Sequence, residues 1–522
     1  MNKNKVLVIG LDGATFDVIL PMIEKGKLPT LKKLMENGAW GRLESTVPYI
    51  TAPAWTSAVT GVNPGKHGLY NFILLRGYEI KMADASFRKR STLWNILSEY
   101  DKKVGIFNVP VTYPPEKVNG FMVSGWLTPS IRKDFTYPKE LKSEILELIP
   151  NYQFKNLGPN SVGLKKAKKD VLEILKNRFI LAKHLIKKEW DFFMGVFMAS
   201  DQISHFLWGK PDIEEVYERL DEILSELVAM CGENTTIFVI SDHGITKIEK
   251  LINIYSLLKT LGLSGRGKTP IPHKILRRFG ITTGRTYGLF LKLGVRDTSF
   301  IPEKAKKMIP KSKLTHQIKY NIKEMKAFYY SWGLRINLKD REPFGLIEPE
   351  DYENFRENLI RKLKKIRDPE TSERIFDKVF KREELYHGKY FEYAPDIVFL
   401  LKDGYLYTTK EDRELVLKDL EYTIGNHQIN GIFIAYGKDI RKIQLEPKII
   451  DVMPTILHIM GVPIPDDVDG RVLREIFKKD SEIYKREIKY EKSKEIEREK
   501  HEFSDEDEKV VRERLKGLGY LE

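Results

Sequence analysis

The sequence predicts an α/β protein in which helices flank a mainly parallel central sheet. Apolar segments of strand length alternate with amphipathic helical segments along most of the chain. Two of the apolar segments, 191–201 and 235–244, end on the charged residues Asp201 and Asp242-His243. The chain has 522 residues, of which 42% are apolar, so it can bury a large core and exceeds one compact domain.

The elements follow one another in a readable order. Residues 6–11 form an all-apolar strand that ends in Asp12-Gly13. Residues 164–186 place apolar side chains at helical spacing with lysines between them, which predicts an amphipathic helix. Helices are also predicted over 213–229, 350–366 and 449–461, and the second of these is highly charged. Strands are predicted from residue 327 onwards, over 394–401 and over 431–437. Asp451 and Pro454 are typical of the N-terminus of the last helix.

The formal charge of +14 is concentrated in one part of the chain. Residues 259–320 hold 15 Lys and Arg against 2 Asp and Glu, a net of +13, so the other residues together carry +1. Gly and Pro punctuate this segment, which predicts an inserted cap. We therefore expect the first part of a core at 1–258, the basic insertion at 259–320, the second part of the core at 321–475, and a charged helical tail at 476–522 that docks through Leu515, Leu518 and Tyr520.

Several classes of protein are disfavoured by composition. The single cysteine, Cys231, excludes a disulfide framework and a cysteine-based metal cluster. The amino terminus has the pattern of a buried strand and not of a signal peptide, and no apolar run is long enough to span a bilayer. These observations predict a soluble cytoplasmic protein.

Carboxylates and imidazoles recur where predicted strands end. In parallel sheets these ends meet at one edge, where ligands collect. The four-residue spacing of Asp201 and His205 places both on one face of a helical turn, and His427 lies in a polar loop before a buried strand. Any one of these residues could equally be a turn, cap or surface residue. His67 is assigned to a hydrogen bond within its turn.

Together these residues carry a resemblance. The motifs VIGLDGATFD, VPYITAPAWTSAVTGVNPGKHGLYNF, MASDQISHFLW, ISDHG and GNHQINGIFIAYG resemble, in order, those of the type I phosphodiesterase/nucleotide pyrophosphatase branch of the alkaline phosphatase superfamily and its predicted phosphohydrolase and phosphomutase relatives. The resemblance extends from residue 3 to about residue 475, and the basic insertion is covered least. It implies an alkaline-phosphatase-like core.

The resemblance also implies two divalent metal ions, with zinc as the first choice and manganese or iron as alternatives. One ion is expected on Asp12, Asp242, His243 and the Thr51 hydroxyl, and the other on Asp201, His205 and His427. Thr51, expected in a loop before Pro53, would attack phosphorus and form a phosphothreonine. Asn71 resembles the amide position that contacts a phosphate oxygen in the diesterase branch.

The motifs separate some activities and leave others open. Threonine at the nucleophile position disfavours a sulfatase, and the lack of arginine between Arg42 and Arg76 favours a monoanionic diester over a monoester. The leading hypothesis is hydrolysis of phosphodiester or pyrophosphate bonds in nucleotide-like or other small anionic phosphate esters. A phosphomonoesterase or phosphomutase remains open. A binding protein whose basic insertion contacts nucleic acid or anionic membrane is a further alternative that is not favoured, because steering of anionic substrates explains that charge within the enzyme hypothesis.

Overall fold

The computed structural model describes residues 4–154, 158–263, 322–409, 414–418, 425–494, 496 and 498–517. Its centre is a nine-stranded mixed sheet. The strands, in spatial order, are Ile443–Gln444, Ala39–Glu44, Asn430–Tyr436, Thr235–Ile240, Lys5–Leu11, Phe192–Phe197, Val104–Phe107, Gly120–Val123 and Thr136–Tyr137. The five strands from Thr235–Ile240 to Gly120–Val123 are parallel neighbours. The mainly parallel sheet expected from the sequence is therefore confirmed.

The central strand Lys5–Leu11 shows why both faces of the sheet are covered. Successive side chains point to opposite faces, and those of Val6 and Leu7 belong to different apolar clusters, both fully buried. Parallel sheets covered on both faces have such unbroken apolar strands. Each fully buried aliphatic side chain contributes about 1.5–3 kcal/mol by leaving water.

Helices pack on both faces and at the ends of the sheet. On the Val6 face lie helices Thr51–Thr60, Leu93–Glu99 and Val452–Met460. On the Leu7 face lie Phe16–Glu24, Pro29–Glu36, Leu164–Leu185, Ala199–Leu207 and Asp212–Ala229. The other described α-helices are Pro64–His67, Leu141–Leu148, Pro159–Val162, Ile254–Thr260, Tyr352–Lys365, Glu482–Lys485 and Asp505–Gly517. Among the helices of the described residues, none has the length and apolar composition needed to cross a membrane.

Smaller sheets complete the architecture. An antiparallel sheet has the strand order Ala327–Tyr330, Gly333–Ile336, Ile397–Leu401 and Phe376–Lys381. Strand Gly244–Asn253 pairs with Gly404–Thr408, Val416–Leu417 and Gly425–Gln428. Two-stranded pairs join Ile73–Arg76 to Glu79–Met82, and Ile464–Pro465 to Tyr490–Glu491.

Three local expectations need correction. The strand expected over 191–201 ends at Phe197, and Asp201 lies in the first turn of helix Ala199–Leu207. The strand expected over 235–244 ends at Ile240, so Asp242 and His243 occupy the turn that follows. Thr51 is the first residue of a helix and not part of a loop. In the first two cases the residues that follow the strand are as buried as the strand itself, so burial extends past the point where the strand ends.

The charged tail packs on the core, as the sequence predicts. Leu515, in helix Asp505–Gly517, is fully buried in the apolar cluster on the Val6 face. Leu518 and Tyr520 lie outside the described residues, and so do residues 264–321, which hold nearly all of the predicted basic insertion. The domain boundaries therefore stay predictions.

Candidate metal centre

Three of the candidate carboxylates converge at one edge of the central sheet. Asp12 directly follows strand Lys5–Leu11, Asp242 follows Thr235–Ile240, and Asp201 lies one turn beyond Phe192–Phe197. These strands are adjacent and parallel, so their carboxyl ends meet at the same edge. All three carboxylates are fully buried.

The chain turns sharply after Asp12 because Gly13 allows a close approach. Gly13 has a φ of 65°, in the left-handed region that favours glycine. A Cβ atom at this position would lie 2.8 Å from the Cα of Asp201. The Asp12-Gly13 sequence therefore brings two of the carboxylates together as well as ending the strand.

Asp201, His205 and His427 form one compact group of candidate metal ligands. Asp201 and His205 are four residues apart on helix Ala199–Leu207, as the sequence predicts, and His427 comes from strand Gly425–Gln428. Asp201 Oδ1 lies 3.2 Å from His205 Nε2 and 3.3 Å from His427 Nε2. The two Nε2 atoms are 3.2 Å apart. Such a group could hold one divalent cation.

Asp12, Asp201 and His243 form a second group that could hold a metal ion. His243 Nε2 lies 3.8 Å from Asp12 Oδ1 and 3.3 Å from Asp242 Oδ2. The Asp242 carboxylate therefore lies beside this second group, as expected from the ligand set that the resemblance implies. Asp201 takes part in both groups, which the sequence did not indicate. The structure thus brings all six carboxylate and imidazole candidates together.

The three imidazoles share one orientation. Nδ1 of His205 donates to the Gly425 carbonyl at 3.1 Å, and Nδ1 of His427 donates to the Tyr49 carbonyl at 3.0 Å. Nδ1 of His243 donates to the Gly244 carbonyl, also at 3.1 Å. A carbonyl can only accept, so each Nδ1 carries a proton and each Nε2 is directed toward the carboxylates, where a neutral ring could offer its lone pair to a cation. Metal-binding histidines are held by backbone carbonyls in this way.

This arrangement concentrates oxygen and nitrogen atoms that could bind a cation. The Asp12 Oδ1 and Asp242 Oδ2 atoms are buried and accept no hydrogen bond from the described residues. Burial, together with the neighbouring carboxylates, raises the pKa of Asp12 and of Asp242. Burial lowers the pKa of His243 and of His427. The donor set of carboxylates and imidazoles without cysteine fits divalent zinc, manganese or iron.

Thr51 lies against this centre at the start of a helix. It is fully buried, and its hydroxyl donates to His243 Nε2 at 3.2 Å. It is also the first residue of helix Thr51–Thr60, and the first amides of a helix have no partners within the helix. Such amides stabilise negatively charged oxygens. An oxyanion bound beside this cluster would therefore meet a hydroxyl and a helix N-terminus together.

Trp55 is a part of the site that the sequence analysis missed. It lies one turn after Thr51, is fully buried, and its indole Nε1 donates to Asp12 Oδ2 at 2.7 Å. The i,i+4 spacing from Thr51 is a signal that could have found it. The bond connects the helix that carries Thr51 to a candidate metal ligand.

Asn71 and His67 lie apart from this cluster. Asn71 is half-buried, and its Oδ1 accepts a hydrogen bond from the amide of Phe72 at 2.7 Å. None of the hydrogen bonds or ion pairs found for the described residues joins Asn71 to the other candidates, so its role stays a prediction. His67 Nδ1 accepts from the Leu69 amide, and its Nε2 is 2.9 Å from Ser57 Oγ, in agreement with a role in its turn.

Comparison with known proteins identifies the family of this chain. The family model for type I phosphodiesterase/nucleotide pyrophosphatase matches residues 6–430. A search of curated proteins gave no significant match. Among solved structures, an inactive threonine-to-alanine variant of murine ectonucleotide pyrophosphatase/phosphodiesterase 5 in complex with AMP is 15% identical, with a TM-score of 0.51 over 91% of this chain and 100% of that chain.

Two other structures share the fold. Phosphonoacetate hydrolase from Sinorhizobium meliloti, in complex with phosphonoformate, is 18% identical, with a TM-score of 0.56 over 88% of this chain and 96% of that chain. A variant of the alkaline phosphatase PafA is 14% identical, with a TM-score of 0.54 over 92% of this chain and 100% of that chain. The family model covers most of the chain, which therefore belongs to the type I phosphodiesterase/nucleotide pyrophosphatase family.

Proposed function

We propose that this protein is a metal-dependent phosphohydrolase that cleaves phosphodiester or pyrophosphate bonds in nucleotide-like or other small phosphate esters. The observation that carries the proposal is the convergence of six buried candidate ligand side chains, one of which, His243, contacts the Thr51 hydroxyl. Family membership supports the reaction class. A buried group of three carboxylates would be unfavourable without cations, and the same cations attract phosphate oxygens.

Asp12, Asp242 and His243 would hold one ion beside Thr51, and Asp201, His205 and His427 would hold the other. When bound, such ions lower the pKa of a coordinated hydroxyl and neutralise charge on phosphate oxygens. The backbone carbonyls that accept from Nδ1 of each histidine keep Nε2 directed at the ion. Trp55 fixes the orientation of the Asp12 carboxylate.

Thr51 is the proposed nucleophile. Its oxygen would attack phosphorus in line, releasing its proton, while the bond from phosphorus to the leaving oxygen breaks. The resulting phosphothreonine would be hydrolysed by water, which returns the hydroxyl and releases the phosphate product. The first amides of helix Thr51–Thr60 would stabilise the phosphate oxygens throughout.

The test compares substrates and a single variant. Metal-loaded protein should hydrolyse an aryl phosphodiester faster than the matching monoester and should lose activity with a chelator. Thr51→Ala should abolish turnover with metal content nearly unchanged, because six of the seven proposed ligand side chains remain. A clear preference for the monoester would favour the phosphomonoesterase or phosphomutase alternative. Persistent turnover in Thr51→Ala would refute the nucleophile.

The basic segment supports a second candidate function of a different class. Its charge of +13 over residues 259–320 would suit binding to nucleic acid or an anionic membrane. Retention on DNA or anionic vesicles at physiological salt, compared with a variant that lacks 264–313, tests it. If the deletion leaves retention unchanged but raises KM for anionic substrates, the basic segment attracts those substrates toward the candidate metal centre and does not bind nucleic acid or membrane.

A further inference from the structure

A small pocket, with mostly apolar walls and a few polar side chains, lies at the same edge of the central sheet as the candidate metal centre. Its walls come from residues beyond three neighbouring parallel strands and from helix Leu164–Leu185. They include Asn108 after strand Val104–Phe107, Trp126 after Gly120–Val123, and Met198 after Phe192–Phe197. The carboxyl ends of parallel strands are where open α/β sheets bind ligands.

Arg178 supplies a buried positive charge to this pocket. Its exposed fraction is 4%, and its guanidinium lies 4.3 Å from the ring centre of Tyr152 and 5.3 Å from that of Phe154. Nη2 donates to the Gln153 carbonyl at 2.9 Å, whereas Nη1 is buried and has no acceptor among the described residues. No ion pair within the described part of the chain involves Arg178.

A second arginine adds to the positive charge nearby. Arg514 is buried, and its two Nη groups donate to the carbonyls of Trp126, Thr128 and Pro129. Burial, and to a lesser degree the charge of Arg178, lowers the pKa of Arg514 to about 9. The Nη groups of Arg514 therefore have hydrogen-bond acceptors, but these acceptors are neutral carbonyl oxygens that do not balance the positive charge of the guanidinium.

Buried charges in proteins are normally paired, because an isolated charge is strongly disfavoured away from water. The pocket also offers the side-chain amide of Gln202, while its remaining walls include the apolar Phe154 and Phe197. The Nη1 group of Arg178 can donate to an oxygen of a phosphate, sulfate or carboxylate group while Nη2 stays bonded to the Gln153 carbonyl. An anion would supply both the missing acceptor and the missing charge.

We propose that this pocket is a second anion site, distinct from the metal centre, that holds a small oxyanion on Arg178. The anion would contact Gln202, which is next to Asp201 on the helix that carries two candidate metal ligands. The site uses none of the seven positions assigned to the metals and the nucleophile. The proposal therefore does not depend on the proposed catalytic activity.

The test measures the thermal unfolding of the metal-loaded full chain in sodium sulfate against sodium chloride of equal ionic strength. Sulfate should raise the Tm of the wild-type protein, because a ligand that binds only the folded state stabilises it. Arg178→Met keeps the apolar stem against Tyr152 and removes the charge, so it should unfold at a similar or higher temperature in chloride and respond less to sulfate than the wild type, keeping only the general stabilisation that sulfate gives to folded proteins. Phosphate should act like sulfate, and acetate reports whether a carboxylate suffices.

Matched variants separate binding at Arg178 from binding at the metal centre or on the protein surface. His427→Ala, at the metal centre, should keep the sulfate response, and so should a replacement of the exposed Arg132 by Met. Arg178→Lys, which keeps the charge but not the guanidinium, should bind sulfate roughly tenfold more weakly or worse, as loss of a charge-assisted hydrogen bond implies. Arg178→Lys also provides the test of the anion site if Arg178→Met does not fold.

Three results would overturn the proposal. The first is a wild-type protein that responds equally to sulfate and chloride. The second is an equal sulfate response in the wild type and both Arg178 variants. The third is a sulfate response that is lost in His427→Ala and kept in the Arg178 variants, which would place the anion at the metal centre.

Discussion

Replacing Trp55 with Phe tests whether the helix of Thr51 supports the candidate metal centre. The substitution removes the indole donor to Asp12 Oδ2, a bond of 2.7 Å in a fully buried environment. A hydrogen bond to a charged group contributes about 1.5–3 kcal/mol. If that contribution is realised in the metal-bound state, metal affinity should fall roughly 10- to 100-fold, which is the range found for residues that support metal ligands.

Trp94 provides a matched control for this substitution. It is also fully buried in the same apolar cluster, and its Nε1 donates to a carboxylate, Glu116 Oε2, at 3.0 Å. Trp94→Phe should therefore lower the free energy of unfolding by a similar amount without changing metal affinity. Metal dissociation constants are measured by competition with a chromophoric chelator, and unfolding free energies by denaturant titration of the metal-free proteins.

The comparison has a clear negative outcome. If Trp55→Phe and Trp94→Phe lose stability alike and both keep wild-type metal affinity, Trp55 is a structural residue and does not position Asp12. If both lose metal affinity equally, the effect is a general loosening of the fold. Only a selective loss in Trp55→Phe supports the coupling.

Three further substitutions test separate parts of the molecule. His427→Ala should lower the occupancy of one ion and leave the other, since His427 belongs to one ligand group; elemental analysis that shows both ions lost or both kept would contradict this. Asn71→Ala should lower kcat/KM with metal content unchanged, and unaltered kinetics would remove Asn71 from the substrate site. His67→Gln tests pH dependence, because burial lowers the pKa of His67 to about 3 and keeps the folded ring neutral. Between about pH 6.5 and 3 the unfolded chain takes up a proton at His67 and the folded chain does not. Each unit by which the pH is lowered in this range should therefore reduce the free energy of unfolding by about 1.4 kcal/mol through His67. The wild type should lose stability more steeply than His67→Gln over this range in urea titrations, and parallel slopes would show that His67 does not titrate as described.

Much of the fold follows from local patterns in the sequence. Strand Lys5–Leu11 and helix Leu164–Leu185 were predicted within a residue or so, because their apolar periodicity reflects which faces are buried. The ends of strands Phe192–Phe197 and Thr235–Ile240 were placed too late. The residues after these strands are buried whatever their backbone conformation, and the sequence pattern does not mark where the strand changes to a turn or a helix.

Some features of the candidate site could likewise be predicted from local sequence patterns, and others could not. The Asp201 and His205 pair was accessible because helical spacing alone places both on one face. The contribution of Trp55 was not, because its bond to Asp12 depends on how a helix packs beside a strand 43 residues away in sequence. The sharing of Asp201 between two ligand groups also depends on three strands and a turn meeting in space.

The sequence by itself determined the fold class, the family and the identities of the residues at the candidate metal centre, because these depend on composition, periodicity and motif order. Only the tertiary structure decided that every Nε2 of the three histidines points into the centre, since backbone carbonyls from Gly425, Tyr49 and Gly244 hold the rings. Only the tertiary structure revealed the buried charge of Arg178, because whether a charge has a partner depends on what packs around it.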